Sequence, residues 1–274
     1  MRKYEFTGET KVVLGIRLYR IKALIDISAH GVVSGDLGGW IAKESNLSHC
    51  GDAWVSGNAW VYGDARVYGD ARVYGDARVY GDARVSGNAQ VYGDAWVYGD
   101  AQVYGDARVY GDAWVYDNAR VSGNAQVYGD ARVYGDAWVS GNAWVYGDAW
   151  VYGDAQVSGN AQVSGDAWVY GNAQVYGDAR VYGNARVYGD AWDKSPLQIQ
   201  GTKYMFYAAT KNKIGIGCQI HTYAAWHKCW RKVADVHNFT VDEQREYIMY
   251  FNLACELYGK QKYKVAVPTG EGQV

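Results

Sequence analysis

The sequence predicts a mainly β protein built around a parallel β-helix of about eight triangular coils, with an N-terminal β cap and a small C-terminal α+β module. Three observations carry that expectation. From Gly51 to Trp192 the hexapeptide Gly-(Asp/Asn)-Ala-(Arg/Trp/Gln)-Val-(Tyr/Ser) recurs 24 times with no insertion or deletion. Val returns at every sixth position from Val55 to Val187. Composition agrees: 35 Gly stand against 2 Pro, and 26 Tyr and 12 Trp against 4 Phe and 3 Met. Fixed-period repetition marks stacked architectures, and aromatics in such excess over Phe and Met are not mainly core filler.

Residues 1–50 come first. Lys11 to Leu24 is rich in Val, Ile, Leu and Tyr and predicts strands, followed by a Gly-rich loop. Such a segment would cover the open edge of the first coil. Residues 51–193 form the coils. In Ala-x-Val-Tyr, alternation sends Ala and Val to one face and x and Tyr to the other. The small and branched apolar residues go inside. Gly-Asp or Gly-Asn supplies the corner, where a positive φ is tolerated. Three edges close a coil, and at ~4.8 Å per coil the prism is roughly 35–40 Å long. The breaks are Asp117 in a Gly slot and Asp193 in place of the last Val. Residues 194–274 change texture. Tyr204–Ala208 and Ile214–Cys218 predict a hairpin around Lys211-Asn212, and Thr222 precedes a helix to about Val233. Thr240-Val-Asp-Glu243 is a capping box for a second helix ending before Gly259, with fraying expected from Lys260. Repeat arrays need capped ends, so both flanks are expected to cap.

Val-Tyr-Gly-Asp-Ala-Arg resembles the hexapeptide repeat of left-handed parallel β-helices, in which an aliphatic residue is followed four places on by a small one. The resemblance implies the left-handed form. It departs after Val, where acyltransferase members commonly carry Gly and this chain has Tyr or Ser. Gly35-Asp36-Leu37-Gly38-Gly39-Trp40-Ile41, Ser45-Asn46-Leu47-Ser48 and Cys218-Gln219-Ile220-His221-Thr222 with Trp226 are similar to segments of phage and prophage hexapeptide-repeat proteins, mostly of unassigned function. That likeness implies no activity.

Composition excludes several classes. Hydrophobic content of 49% and a net charge of −2 are not those of a disordered or polybasic chain. No apolar run approaches the ~18 residues of a membrane span, and the start lacks the apolar core of a signal peptide. Cys50, Cys218, Cys229 and Cys255 make no disulfide framework, which suits a cytoplasm, the host's if the protein is phage-encoded. Gly51 to Trp192 holds 17 Asp and 9 Arg, which argues against duplex DNA. No Thr lies between Gly51 and Trp192, so the Thr arrays of an ice-binding face are missing.

Every third unit shares a face. One carries Trp54, Arg72, Gln90, Arg108, Gln126, Trp144, Gln162 and Arg180 in the x column. Another carries Arg66, Arg84, Gln102, Arg120, Trp138, Gln156, Gln174 and Trp192, with several Ser beside them. The remaining face holds Trp60, Arg78, Trp96, Trp114, Arg132, Trp150, Trp168 and Arg186 beside Tyr62, Tyr80, Tyr98, Tyr116, Tyr134, Tyr152, Tyr170 and Tyr188. Gln and Ser are absent from those two columns. Tyr, Trp and Arg are the hot-spot residue types, so this is the candidate binding or interface face. The competing explanation is that Tyr and Trp ladders only brace neighbouring coils.

Catalytic and metal chemistry have thinner support. Acyl transfer on this fold uses a His base, yet the coils contain no His, Cys or Lys, leaving His49 just outside them. No catalytic residue and no cofactor are expected. Cys218, His221, His227 and Cys229 are zinc-type ligands at an unfamiliar spacing. The leading expectation is a non-enzymatic phage-type binding protein that inhibits or sequesters a host protein or a nucleotide-like small molecule through the aromatic face. The alternatives are a hexapeptide-repeat acyltransferase or a passive scaffold. A homo-oligomer, dimer or trimer, is expected through that face or the helix Val241–Tyr258.

Overall fold

A computed structural model describes residues 2–267. Tyr4–Val13 (β1) and Ile16–Ala23 (β2) form an antiparallel hairpin turned by Leu14 and Gly15, at φ 51° and 78°. Leu37–Ile41 (β3) pairs antiparallel with β2 and then parallel with the first solenoid strand beside it, Trp40 opposite Trp60 and Ile41 opposite Val61. Short strands β4 to β27 follow, from Trp54–Val55 to Ala191–Trp192. Each pairs in parallel with the strand one coil on, as Trp96 does with Trp114. The strands build three sheets, one of which is continuous with β3, β2 and β1.

Alternation sorts the side chains as the pattern requires. Ala and Val from Ala53 to Val187 are 0% exposed and form one unbroken core. The corner Gly residues have φ near +65 to +70°, and a Cβ at Gly111 would sit 3.0 Å from the Gly129 nitrogen one coil away. Handed backbone and tight stacking together demand glycine there.

Coil N–H groups donate to carbonyls one coil on, so the first coil is left with a row of bare carbonyls. Three different devices cover it. On one side β3 supplies backbone: Trp40 donates to Ala59 O and Ala42 to Val61 O. On the next, Asn46 Nδ2 donates to Gly63 O (3.1 Å) and Ala65 O (2.8 Å). On the third, the buried Lys3 ammonium donates to Gly51 O (3.0 Å) and Ala53 O (2.7 Å). At the far end, Ser195 Oγ and Gln198 Oε1 accept from Arg180 and Tyr182 N–H.

Beyond the coils, Gln198–Gln200 (β28), Met205–Thr210 (β29), Lys213–Ile216 (β30) and Gln219–Thr222 (β31) make an antiparallel sheet in sequence order. It packs against helices Tyr223–Val236 (α1) and Val241–Leu257 (α2). Thr222 caps α1, and the Thr240/Glu243 capping box opens α2. The expected hairpin is therefore the middle of a four-stranded sheet.

Three expectations need correction. Trp192 does not point outward. Gly189 and Asp190 both adopt positive φ, the register slips by one, and Trp192 takes the Val slot opposite Val175. A one-residue slip reverses every side chain, and Trp192, 4% exposed, plugs the core edge-on to Tyr258. Trp54 is also buried, at 1%, because the cap covers it at Gly38. Nor is the chain frayed from Lys260. Gln261–Tyr263 forms a 3-10 turn, and Asn252 holds Val265 by two hydrogen bonds of 2.8 Å, in through the N–H and out to the carbonyl. Residues 268–274 lie outside the described chain.

Candidate functional site

The face predicted from every third unit is the outer surface of the sheet that continues into the cap. Because x side chains of successive coils are direct register partners, like stacks on like about one coil apart. Trp96 lies on Trp114 and Trp150 on Trp168, each with ring centroids 5.1 Å apart and planes within 8°. The arginines fill the gaps. The Arg78 guanidinium lies 4.7 Å from both Trp60 and Trp96, Arg132 5.1 Å from Trp114 and 5.0 Å from Trp150, and Arg186 4.4 Å from Trp168. The cap extends the column: Lys11 Nζ sits 4.1 Å from Trp40 and 4.5 Å from Trp60, with Arg20 over Trp40 at 5.6 Å. Each such contact is worth about 0.5–1 kcal/mol when exposed.

Beside this column Tyr62, Tyr80, Tyr98, Tyr116, Tyr134, Tyr152, Tyr170 and Tyr188 form one stack with spacings of 4.8 to 5.3 Å. The Lys213 ammonium terminates it, 5.0 Å from Tyr188. Burial in the stack pushes the phenol of Tyr80 up to about 12, with neighbouring tyrosines adding and Arg78 opposing. A second ladder, Tyr74 to Tyr146, stands on another face at 4.7 to 5.1 Å. Tyr stacking by itself therefore belongs to coil-to-coil bracing. What sets the candidate face apart is the Trp–cation column.

Stacking along the axis spends the ring faces on one another. The surface therefore presents edges: indole rims, guanidinium N–H groups and phenol hydroxyls, flanked by the corner carboxylates. Arg132, Trp150, Trp168 and Arg186 with Asp130, Asp148 and Asp166 line a groove of about 610 Å³ whose end wall is the Gly217–Cys218 turn. A second groove of about 370 Å³ runs along Arg78, Trp96, Trp114 and Arg132 beside Asp94, Asp112 and Asp130. Among the described residues none of these carboxylates lies within 4.0 Å of an Arg or Lys nitrogen.

The other candidates fall elsewhere. His49 is stacked on Tyr4 at 4.3 Å and its Nδ1 accepts the Lys3 N–H, inside the cap. Cys218 sits in the β30–β31 turn, His221 is edge-on to Trp226, and His227 Nδ1 lies 2.9 Å from the Tyr263 carbonyl. Among the described residues no three His, Cys, Asp or Glu side chains converge on a metal position, so Cys218, His221, His227 and Cys229 are not gathered into one. Sequence reasoning missed Trp40, Lys11 and Arg20. A signal existed: Ile41 and Leu47 are six apart, and they occupy Val slots opposite Val61 and Val67, a partial coil ahead of the regular ones.

A family model described as the YdcK beta solenoid repeat matches residues 65–81, 71–87, 77–93, 101–117, 125–141, 155–171, 161–177, 173–189 and 179–194. The chain is a β-solenoid repeat protein. The matched segments cover less than half of it, all within the solenoid, so the likeness extends to neither cap. No curated protein matches the chain. No described helix is long and apolar enough to cross a membrane.

Proposed function

We propose that this solenoid is a non-enzymatic binding protein of phage or prophage type that captures a host protein through the Trp–cation face and blocks it. One observation carries the reading: the aromatic and cationic side chains are already locked against one another. Binding then costs little side-chain entropy, which is how a preorganised surface gains affinity. The hydrogen-bonding edges and free carboxylates suit a folded protein surface better than a flat nucleotide, whose base would need an open ring face to stack on. The phage assignment rests on the segments around Trp40 and Cys218 that resemble phage-encoded repeat proteins. The protein should act in the cytoplasm of the host.

The test is co-purification from the host with tagged wild type and two variants. Trp114→Ala with Arg132→Ala should lose the partner, whereas Trp138→Ala with Trp144→Ala, on the other two faces, should keep it. Equal capture by both overturns the assignment of the face, and turnover of an acyl-coenzyme A by the purified chain overturns the non-enzymatic reading. A second copy is the competing occupant, because its coils repeat at the same spacing and would match row for row. Light scattering that gives a dimer or trimer, reduced to monomer by Trp114→Ala with Arg132→Ala, would favour that reading.

A further inference from the structure

The C-terminal module contains a cavity that the partner face does not use. It lies between the β30–β31 turn, α1 and α2, with a volume of about 90 Å³. Tyr204, Trp226, Trp230, Phe239, Tyr247 and Phe251 wall it, and no carboxylate, ammonium or guanidinium lines it. Three polar groups of the wall are engaged, and the side chains of Cys218, Gln219 and His237 complete the lining. Trp226 Nε1 donates to Ile214 O at 2.8 Å, the Tyr247 hydroxyl to Tyr204 O, and Gln244 Nε2 to Phe239 O at 3.1 Å. Trapped water needs two or more polar partners, and this wall offers little beyond apolar surface. A charged or strongly polar guest would lose its hydration for few polar contacts in return.

We infer that this cavity is a binding site for one small uncharged aromatic ring. The volume sets the upper size: about 90 Å³ is less than the ~150 Å³ of a dry apolar cavity that takes benzene, so the guest is at most a single ring, seated edge-first with part of it in the open side. Six aromatic walls decide the class, since ring edges pack favourably against ring faces. The site is independent of the partner face, although the Gly217–Cys218 turn borders both cavities.

Fluorobenzene is the probe, titrated into the full chain and followed by fluorine NMR. Saturable one-to-one binding with a resonance displaced by the wall rings is expected. Ala234 lines the cavity and is 4% exposed, so Ala234→Phe fills it and should weaken binding at least tenfold without lowering the melting temperature. Should that variant fail to fold, Trp230→Ala removes a wall and should let 1-fluoronaphthalene bind at least tenfold better than wild type does. Absence of saturation, undiminished affinity in a folded Ala234→Phe, or no gain for Trp230→Ala overturns the site. So does binding by a chain ended at residue 267 but not by the full chain, because the cavity would then belong to residues 268–274.

Discussion

Asp117 is where the repeat departs from its own rule, and Asp117→Gly should stabilise the protein. Asp117 occupies a corner slot at φ 56°, where its column neighbours Gly99 and Gly135 have φ 68° and 70°. An L side chain in the left-handed region costs about 1–2 kcal/mol, with Asp toward the low end because its carboxylate bonds locally. The column is also tight: a Cβ at Gly99 would meet the Asp117 nitrogen at 2.9 Å, and one at Gly81 the Gly99 nitrogen at 3.0 Å. Against this, the unfolded chain gains roughly 0.5–1 kcal/mol of entropy with the extra glycine. The balance favours Asp117→Gly by up to about 0.5 kcal/mol, or roughly 1–2 °C in a chain of this size. The reverse change, Gly111→Asp, should cost a similar amount from the backbone, plus the crowding of its Cβ 3.0 Å from the Gly129 nitrogen. Thermal denaturation of the two variants and amide exchange in the flanking coils read both effects. The carboxylate also adds to the burial that raises the Tyr98 and Tyr116 phenols, so both should titrate lower in Asp117→Gly. A destabilised Asp117→Gly, or a neutral Gly111→Asp, would refute the claim that positive φ and coil spacing select glycine.

Asn46→Ala should destabilise by about 2–4 kcal/mol in thermal melts, because the amide, buried at 0% exposure, bridges Gly63 O, Ala65 O and Lys43 N–H. Trp192→Ala should cost about 3–5 kcal/mol and speed amide exchange in the last coil, whereas Trp144→Ala, at an exposed position on another face, should stay within about 0.5 kcal/mol. Burial lowers Lys3 and Lys11 to about 8 from 10.5, so the folded state sheds these protons first. Their penalty is complete below pH 8 and is relieved as pH rises to 10.5. Tyr80 runs the other way: its neutral form is favoured up to about 12, so its contribution is intact below pH 10 and lost above. Stability followed against pH should therefore rise through pH 8–10 and fall beyond it, and Lys3→Met with Lys11→Met should remove the rise.

The coils were legible because a period of six leaves few options for a chain that must bury Ala and Val and turn at Gly. That same regularity placed all sixteen residues of the candidate face. What the pattern could not show was how each end is closed. Lys3, Asn46, Ser195 and Gln198 are polar residues in aperiodic sequence, and their role exists only relative to carbonyls and N–H groups that the fold leaves bare. Trp192 misled for a related reason. It sits in a perfect Gly-Asp-Ala-Trp context, and only the loss of the next Val, at Asp193, hinted that the register would slip to put an apolar residue inside. The sandwiching of Arg78 and Arg132 was implicit in the 18-residue offset, but the face was read by residue type and not by vertical neighbour.

The coil itself demands only Gly, Ala and Val, since these fill the corners and the core. The x slot is close to free. Gln90, Gln126 and Gln162 occupy it on one face and Gln102, Gln156 and Gln174 on another, with the same strand geometry as the tryptophans. Stacking could have been supplied by any repeated flat side chain on any face, as the second Tyr ladder shows. Folding therefore gives no reason to confine the alternation of cation and indole to one side. Nor does it require Lys11 and Arg20 in the cap, outside the repeat altogether, to flank Trp40 of the partial coil and prolong the same column. Duplication of a hexapeptide cannot generate Lys11 and Arg20. A column that is optional for the coils, yet carried on by unrelated sequence, is what the proposed binding role of this face would require.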